Sequence, residues 1–316
     1  MNYEKNLNFE LIRFFTAYGV AVTHYLSFNG IVDAEFLSII FVEIFFPLSG
    51  FLLAPQILKY VYSIENLGVF YLRRWLRTIP IFLMGLFLIS ILVNKMLTID
   101  FFKYIFFIKY LFIDFQVNNY FPIAWSLCVE EFFYILFPFF VLFKNLRLFA
   151  IFIFIFLKLY LLMHLDIQSL RISTIYRLDS IMIGFFAFQY KEFFLRNMKY
   201  NILIYALTLI SILFYYSNSN KLSLNLFISL MPLSVSLFLV YLEKIHFFIY
   251  NKNWIRSIII ILGSTSYACY IFHIIIFYIG ALYNVSFFNQ FLILFLSTII
   301  THYLIEKPFI SLRPSF

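Results

Sequence analysis

Apolar runs long enough to cross a bilayer recur along nearly the whole chain, at 9–28, 36–57, 78–96, 121–143, 148–165, 175–190, 201–217, 222–242, 257–283 and 288–305. A helix needs about twenty apolar residues to span, so the pattern predicts about ten transmembrane helices. The shorter run 101–115, FFKYIFFIKYLFIDF, carries Lys103 and Lys109 and reads as interfacial or re-entrant. No internal repeat and no Gly/Ser linker interrupts the series. The expected fold is therefore all-α: a polytopic integral membrane protein forming a single domain over 1–316.

Composition agrees. Of 316 residues, 64% are hydrophobic and only 12% charged, a balance that excludes a soluble domain of this size. The 47 Phe and 24 Tyr suit lipid-facing and interfacial positions. Net charge is +8, which in a soluble protein suggests nucleic acid. Here it reads as basic residues held in the cytoplasm. With the N-terminus inside, cytoplasmic connections hold Lys5, Arg13, Lys59, Arg73, Arg74, Arg77, Lys144, Arg147, Lys191, Arg196, Lys199, Lys244, Lys252, Arg256, Lys307 and Arg313, which is 16 of the 23 Lys and Arg. Both termini are thus expected in the cytoplasm. Glu4 and Glu10 interrupt any signal-like basic region, so the first run reads as a retained helix, and no soluble appendage is expected. Cys128 and Cys269 both fall in apolar runs and suggest no disulfide.

Polar residues inside apolar spans are costly and mark candidate chemistry. The first span carries Arg13 and His24. Eleven residues turn an α-helix about 1100°, roughly 20° past three turns, so the two share a face about 16 Å apart along the axis. The second span, FVEIFFPLSGFLLAP, holds Glu43, which could orient an imidazole and stabilise its charged form or make an interhelical ion pair. Ser49 and Gly50 are small enough for close backbone approach.

FYLRRWLRTIP then brings Arg73, Arg74 and Arg77 together. Arg74 and Arg77 share a helix face, which suits a phosphate-bearing ligand, lipid headgroups or topogenic charge. AWSLCVEEFFYILFP puts Trp125 and Ser126 at the outer interface, with Glu130 and Glu131 deeper. Adjacent helical residues point about 100° apart, so at most one of these carboxylates faces a given cavity. Arg177 and Asp179 open a later span, as a local ion pair or substrate contacts, while Lys158 and His164 are expected to snorkel outward. Tyr267, Tyr270 and His273 recur at i, i+3, i+6 as one polar stripe. No GxGxxG, Walker loop, HExxH or CxxC occurs, and no metal-ligand spacing appears on any one helix.

In this order the polar segments resemble the membrane-bound acyltransferase 3 family, integral membrane proteins that move acyl groups, usually acetyl from acetyl-CoA, onto sugars of bacterial surface glycans. The resemblance runs nearly the whole length. Arg13 and His24 match R-x10-H. Phe45, Phe46, Ser49, Gly50, Phe51 and Leu52 match FFxxSGFL. Arg74, Arg77 and Pro80 match RxxRxxP. Trp125, Ser126, Leu127, Glu130 and Tyr134 match WSLxxE…FY. Arg177, Asp179 and Gly184 are similar to RxDxxxxG, Ser266, Tyr267, Tyr270 and His273 to SYxxYxxH, and Tyr303, Glu306 and Pro308 to YxxEkP. Two departures stand out. Glu43 replaces the usual Asp, and Pro47 falls inside FFxxSGFL, where a kink is expected.

The resemblance implies a stand-alone O-acyltransferase of the bacterial inner membrane that uses acetyl-CoA and no metal. Its partners would be acyl-CoA, membrane lipids and a carbohydrate or lipid-linked glycan acceptor, such as lipopolysaccharide, capsule or exopolysaccharide, with no nucleic acid. Arg13, Arg74, Arg77 and Ser49 would hold the donor. His24 would act as general base or transient acyl carrier, with Glu43 or Glu130 as its partner. Trp125, Ser126, Arg177, Asp179, Tyr267, Tyr270 and His273 would line the acceptor side. Composition alone fits a transporter or flippase of glycan precursors equally well. The paired inner arginines and deep histidine, and the absence of an inverted repeat, argue against one. A membrane scaffold without chemistry leaves His24, Glu43 and Glu130 unexplained.

Overall fold

The structure is a computed structural model that describes residues 6–32, 34–111, 119–143, 147–218, 220–245, 247, 250 and 252–315, with the side chains of 147–151, 198 and 200 excepted. Glu4, Lys5, Lys144 and the 112–115 end of the interfacial run lie outside the described residues. Every described regular element is helical.

The order is α1 (Leu7–Phe28), α2 (Glu35–Tyr60), α3 (Ile64–Leu92), α4 (Ile99–Ile105), α5 (Ala124–Leu142), α6 (Arg147–His164), α7 (Ile167–Ile172) and α8 (Thr174–Gln189). There follow α9 (Lys191–Arg196), α10 (Met198–Ser217), α11 (Lys221–Leu242), α12 (Asn253–Leu282) and α13 (Phe287–Thr301). A π-helical turn, His302–Glu306, leads into α14 (Lys307–Ser311).

Among the described residues, six stretches are long and apolar enough to cross a membrane: Glu35–Tyr60, Ile64–Leu92, Ala124–Leu142, Lys221–Leu242, Asn253–Leu282 and Phe287–Ser311. The apolar parts of α6 and α10, Phe152–His164 and Asn201–Ser217, are shorter, and α8 has 16 residues. Large apolar side chains on several helices face outward, among them Phe152, Phe156 and Met163 on α6, Leu209 and Leu213 on α10, and Leu296 on α13. An apolar exterior on long helices belongs in lipid, and the chain is a multi-pass membrane protein.

One local feature differs from the sequence pattern. The third span was expected to start at 78, after the arginine cluster, but α3 starts at Ile64 and carries Arg73, Arg74 and Arg77 within it. The reason is an apolar stripe at helical spacing, Leu67, Phe70, Ile81 and Phe82, all buried, which continues the core-facing side through the charged stretch. The second span follows the sequence pattern: α2 runs from Glu35 to Tyr60 as one helix with Pro47 and Pro55 inside it.

The chain resolves into two compact units. The first comprises Met1–Phe45, Trp75–Ile89 and Tyr241–Arg313. Here α1 packs along α12, whose Ala268, Cys269 and Ile271 are buried, and α12 packs on α13. Asn6 caps α1 by accepting from the Asn8 amide at 3.0 Å. The Asn8 side chain donates from Nδ2 to the carbonyls of Leu242 (2.9 Å) and Ile245 (2.7 Å), and its Oδ1 accepts from the Tyr250 hydroxyl at 2.5 Å. That buried residue ties the start of α1 to the connection between α11 and α12.

The second unit comprises Phe46–Arg74, Ser90–Val240 and Pro314–Phe316. In it α8 packs on α5 and α6. The short α4 is capped by Thr98, which accepts from the Phe101 amide at 3.2 Å. Lys109, buried, donates to Asp100 at 2.6 Å, and Lys103 lies 3.9 Å from the same carboxylate. Burial pushes the phenols of Tyr104 and Tyr110 above the ordinary tyrosine range, so both remain donors, to the Asn119 oxygen at 2.8 and 2.6 Å. The helix has seven residues and is too short to span, and its Asp100 is shared by Lys103 within it and Lys109 beyond it, in keeping with the short polar-studded run of the sequence.

Candidate functional site

The first unit holds one set of polar contacts, spread along α1 and α12 and in the turn after α13. α1 carries Glu10, Arg13 and His24. Glu10 and Arg13 pair at 3.5 Å across one helical turn. Gly263 of α12 lies against Glu10 so closely that a Cβ there would strike its side chain. Further along the same α1–α12 contact, His24 Nδ1 lies 2.9 Å from His273 Nε2, with the rings stacked at 5.2 Å. His273 is fully buried, and its Nδ1 lies 3.2 Å from the Cys269 carbonyl one turn earlier.

Aromatic rings surround the pair: Phe28 beside His24, Tyr270 and Phe277 beside His273. Tyr270 also meets Phe45 edge-on at 6.1 Å. The tyrosine stripe is divided in use, since Tyr267 donates to the Thr78 carbonyl of α3 at 3.0 Å. Glu43 on α2 is completely buried.

Arg77 of α3 belongs to this unit as well. Its Nε lies 3.9 Å from Glu306, a buried carboxylate whose other oxygen is 2.8 Å from His302 Nδ1. His302 and Glu306 are the two ends of the π-helical turn. Inserted π turns recur at functional sites because they rotate side chains out of the regular helical register.

The second unit holds the other cluster. Ser49 on α2 donates to Glu130 Oε1 at 2.7 Å, and Tyr134 on α5 donates to Oε2 at 2.7 Å. Both carboxylate oxygens of Glu130 are thereby held, one from the SGFL segment and one from a tyrosine four residues along its own helix. Glu131 is buried on another side of α5. Arg74 donates to Gln56 and lies over the Phe70 ring at 5.7 Å.

Arg177 is fully buried with its guanidinium over Phe46 at 5.5 Å, and Trp125 meets Phe46 edge-on at 5.6 Å. Asp179 pairs with Lys158 of α6, so Lys158 turns inward to a carboxylate instead of snorkelling, and Asp179 takes a partner from a neighbouring helix. The Ser126 hydroxyl donates to the Ile123 carbonyl at 3.2 Å, at the start of its own helix.

The structure thus groups His24 with His273 and Glu130 with Ser49, pairings that no sequence spacing announced. Asn8 and His302 were not singled out in the sequence. His302–Glu306 and Glu130–Tyr134 are both i, i+4 pairs, and that spacing was the available signal. Cys128 and Cys269 are both buried thiols. Among the described residues no three His, Cys, Asp or Glu side chains converge as a metal site.

Of the chain, residues 6–307 match a family model described as an acyltransferase domain. No curated protein and no solved structure matches it.

Proposed function

Because the chain belongs to the acyltransferase 3 family, we propose that it moves an acetyl group from acetyl-CoA to a hydroxyl of a cell-surface glycan or its lipid-linked precursor. It would do so in the bacterial inner membrane, with both termini cytoplasmic and about ten helices crossing. The observation that carries the reading is His24: an imidazole in the contact between two long helices, with the Phe28 ring beside it and Nδ1 hydrogen-bonded to His273.

In the transfer, an imidazole nitrogen of His24 takes the proton of the acceptor hydroxyl while that oxygen bonds to the thioester carbon. The carbon–sulfur bond breaks, and CoA leaves as a thiolate that recovers the proton from the imidazolium. If His24 instead carries the acyl group transiently, the same nitrogen attacks the thioester carbon, the carbon–sulfur bond breaks to release CoA thiolate, and the acceptor hydroxyl then attacks the acyl-imidazole, its proton passing to the thiolate as the carbon–nitrogen bond breaks. Arg74 and Arg77, three residues apart on α3, together with Arg13 and Ser49, are the proposed donor-binding residues; guanidinium groups suit the phosphates of CoA. Glu43 and Glu130 are the proposed carboxylates for proton handling. Trp125, Ser126, Arg177, Asp179, Tyr267 and Tyr270 are proposed for the acceptor side.

The test is release of CoA from acetyl-CoA by membranes containing the protein and host glycan, with mass spectrometry of the glycan. His24→Ala and His24→Asn proteins that still reach the membrane are expected to lose transfer. Full activity in either removes His24 from the chemistry.

A further inference from the structure

We propose that His302 and Glu306 are positioning residues that hold Arg77 ready for a phosphate group, with the Nη1–Nη2 edge of the guanidinium as the contact. Reading that phosphate as one of CoA's rests on the donor-binding role given to Arg77 above; the geometry does not.

Glu306 is buried, 2% exposed, and stands between two partners. Its Oε1 faces Arg77 Nε of α3 at 3.9 Å, and its Oε2 lies 2.8 Å from His302 Nδ1. A carboxylate only accepts, so His302 supplies the Nδ1 proton. The cost of taking a carboxylate out of water is offset only when both oxygens are satisfied. Here one oxygen has a donor and the other a cation.

A carboxylate beside an arginine ordinarily closes into two parallel N–H···O bonds. Glu306 does not close on Arg77: Nε is the near atom, and 3.9 Å is longer than a hydrogen bond. The reason is His302. With Oε2 engaged across the π-helical turn, the carboxylate cannot bring its second oxygen to the guanidinium. Arg77 therefore keeps a neighbouring anion without giving up its fork. Nη1 and Nη2 make no hydrogen bond to any described residue, and the side chain is 22% exposed. The other two arginines of α3 differ, since Arg73 donates from Nη1 to the Pro314 carbonyl and Arg74 from Nη2 to Gln56. What Arg77 leaves open is the planar edge that matches two oxygens of a phosphate. Arginine has many rotamers, and fixing its charge before the ligand arrives removes an ordering cost from binding. Two molecules at a membrane offer such a group, CoA and an anionic phospholipid.

Two measurements on the full-length protein separate them: CoA binding in nanodiscs of zwitterionic lipid, and phosphatidylglycerol retention in detergent by native mass spectrometry. Whichever ligand binds, Arg77→Ala should weaken it about tenfold or more and His302→Ala about three- to tenfold. His302→Asn places an amide N–H where Nδ1 stood and should keep binding within about twofold of wild type. His302→Gln, nearer to histidine in size, reaches past that place and should bind like His302→Ala. A role in packing alone would rank those two variants the other way. His302→Ala added to Glu306→Gln should weaken binding no more than Glu306→Gln does, because His302 acts through Glu306. With CoA as the ligand, the loss appears in KM for acetyl-CoA, with kcat moved less than about threefold. If wild-type protein binds no CoA but its phosphatidylglycerol retention falls in His302→Ala, the donor reading fails and the positioning role stands. Binding indifferent to Arg77→Ala or His302→Ala, or binding of neither ligand by wild-type protein, overturns the proposal.

Discussion

Gly50 of α2 and Gly184 of α8 press their backbones against each other's helices: a Cβ on Gly50 would strike the Ile181 carbonyl oxygen, and one on Gly184 would strike the Pro47 carbonyl oxygen. The two contacts are reciprocal. Each glycine lets one backbone approach a carbonyl of the other helix, the small-residue packing that membrane helices use where no hydrophobic force separates protein from lipid. Both glycines sit in segments that stood out in the sequence for other reasons, SGFL and RxDxxxxG.

Gly50→Ala and Gly184→Ala are therefore each expected to destabilise the protein by roughly 1–3 kcal/mol, the usual cost of overpacking. Because both substitutions push on one contact, the double variant should lose less than the sum. Thermal unfolding in detergent reads this directly. Unchanged Tm in both single variants would mean the helices separate without cost.

Ser49 and Tyr134 should prove to be partners in holding Glu130. Each donates one hydroxyl hydrogen bond to a different carboxylate oxygen. Ser49→Ala and Tyr134→Phe should each cost roughly 1–3 kcal/mol of stability. A double-mutant cycle should show a coupling above about 0.5 kcal/mol, because removing either donor leaves Glu130 to reorient on the other. Strict additivity would show that Glu130 is not their common acceptor.

Arg74 and Arg77 should separate from the rest kinetically. With donor binding as their role, Arg74→Ala plus Arg77→Ala should raise KM for acetyl-CoA about tenfold or more, kcat falling less. Glu306→Gln should share part of the KM effect, since that buried carboxylate lies beside Arg77. An unchanged KM in the double variant removes both arginines from the donor site.

Asn8 should be among the most sensitive positions of α1. Its side chain satisfies the Leu242 and Ile245 carbonyls and accepts from Tyr250. Asn8→Ala leaves those groups without this partner and should cost roughly 2–4 kcal/mol. Asn8→Asp keeps the acceptor for Tyr250 but sets a carboxylate against two carbonyls, and should be no better. Tm of the purified variants checks both, and wild-type values would show that water replaces the amide.

Much of the fold was legible along the chain. Helix type and approximate position followed from unbroken apolar runs, because a backbone in lipid must satisfy its own hydrogen bonds. Boundaries were less legible. The apolar run at 78–96 hid the first turns of α3, since Glu65, Asn66, Arg73, Arg74 and Arg77 around the buried Leu67 and Phe70 dilute the local hydropathy. Lys158 looked like a snorkelling residue because its own helix offers it no carboxylate; its partner Asp179 comes from α8. Asn8 gave no signal at all, because a single asparagine near a helix start is ordinary until the chain folds back to place Tyr250 beside it.

The sequence by itself determined what is local: helices, lipid-facing composition, the positions of His24, Glu43, Glu130 and the arginines, and the family to which they belong. Helical periodicity and transfer cost act over a few residues, so a linear reading reaches them. Tertiary structure alone decided which polar groups meet. His24 finds a hydrogen-bond partner 249 positions away in His273, and Glu130 finds Ser49 at a separation of 81. Hydrogen bonds of about 3 Å depend on how helices are rotated and stacked, and that is settled by packing between helices, where glycines such as Gly50 and Gly184 admit an approach that one helix cannot specify alone.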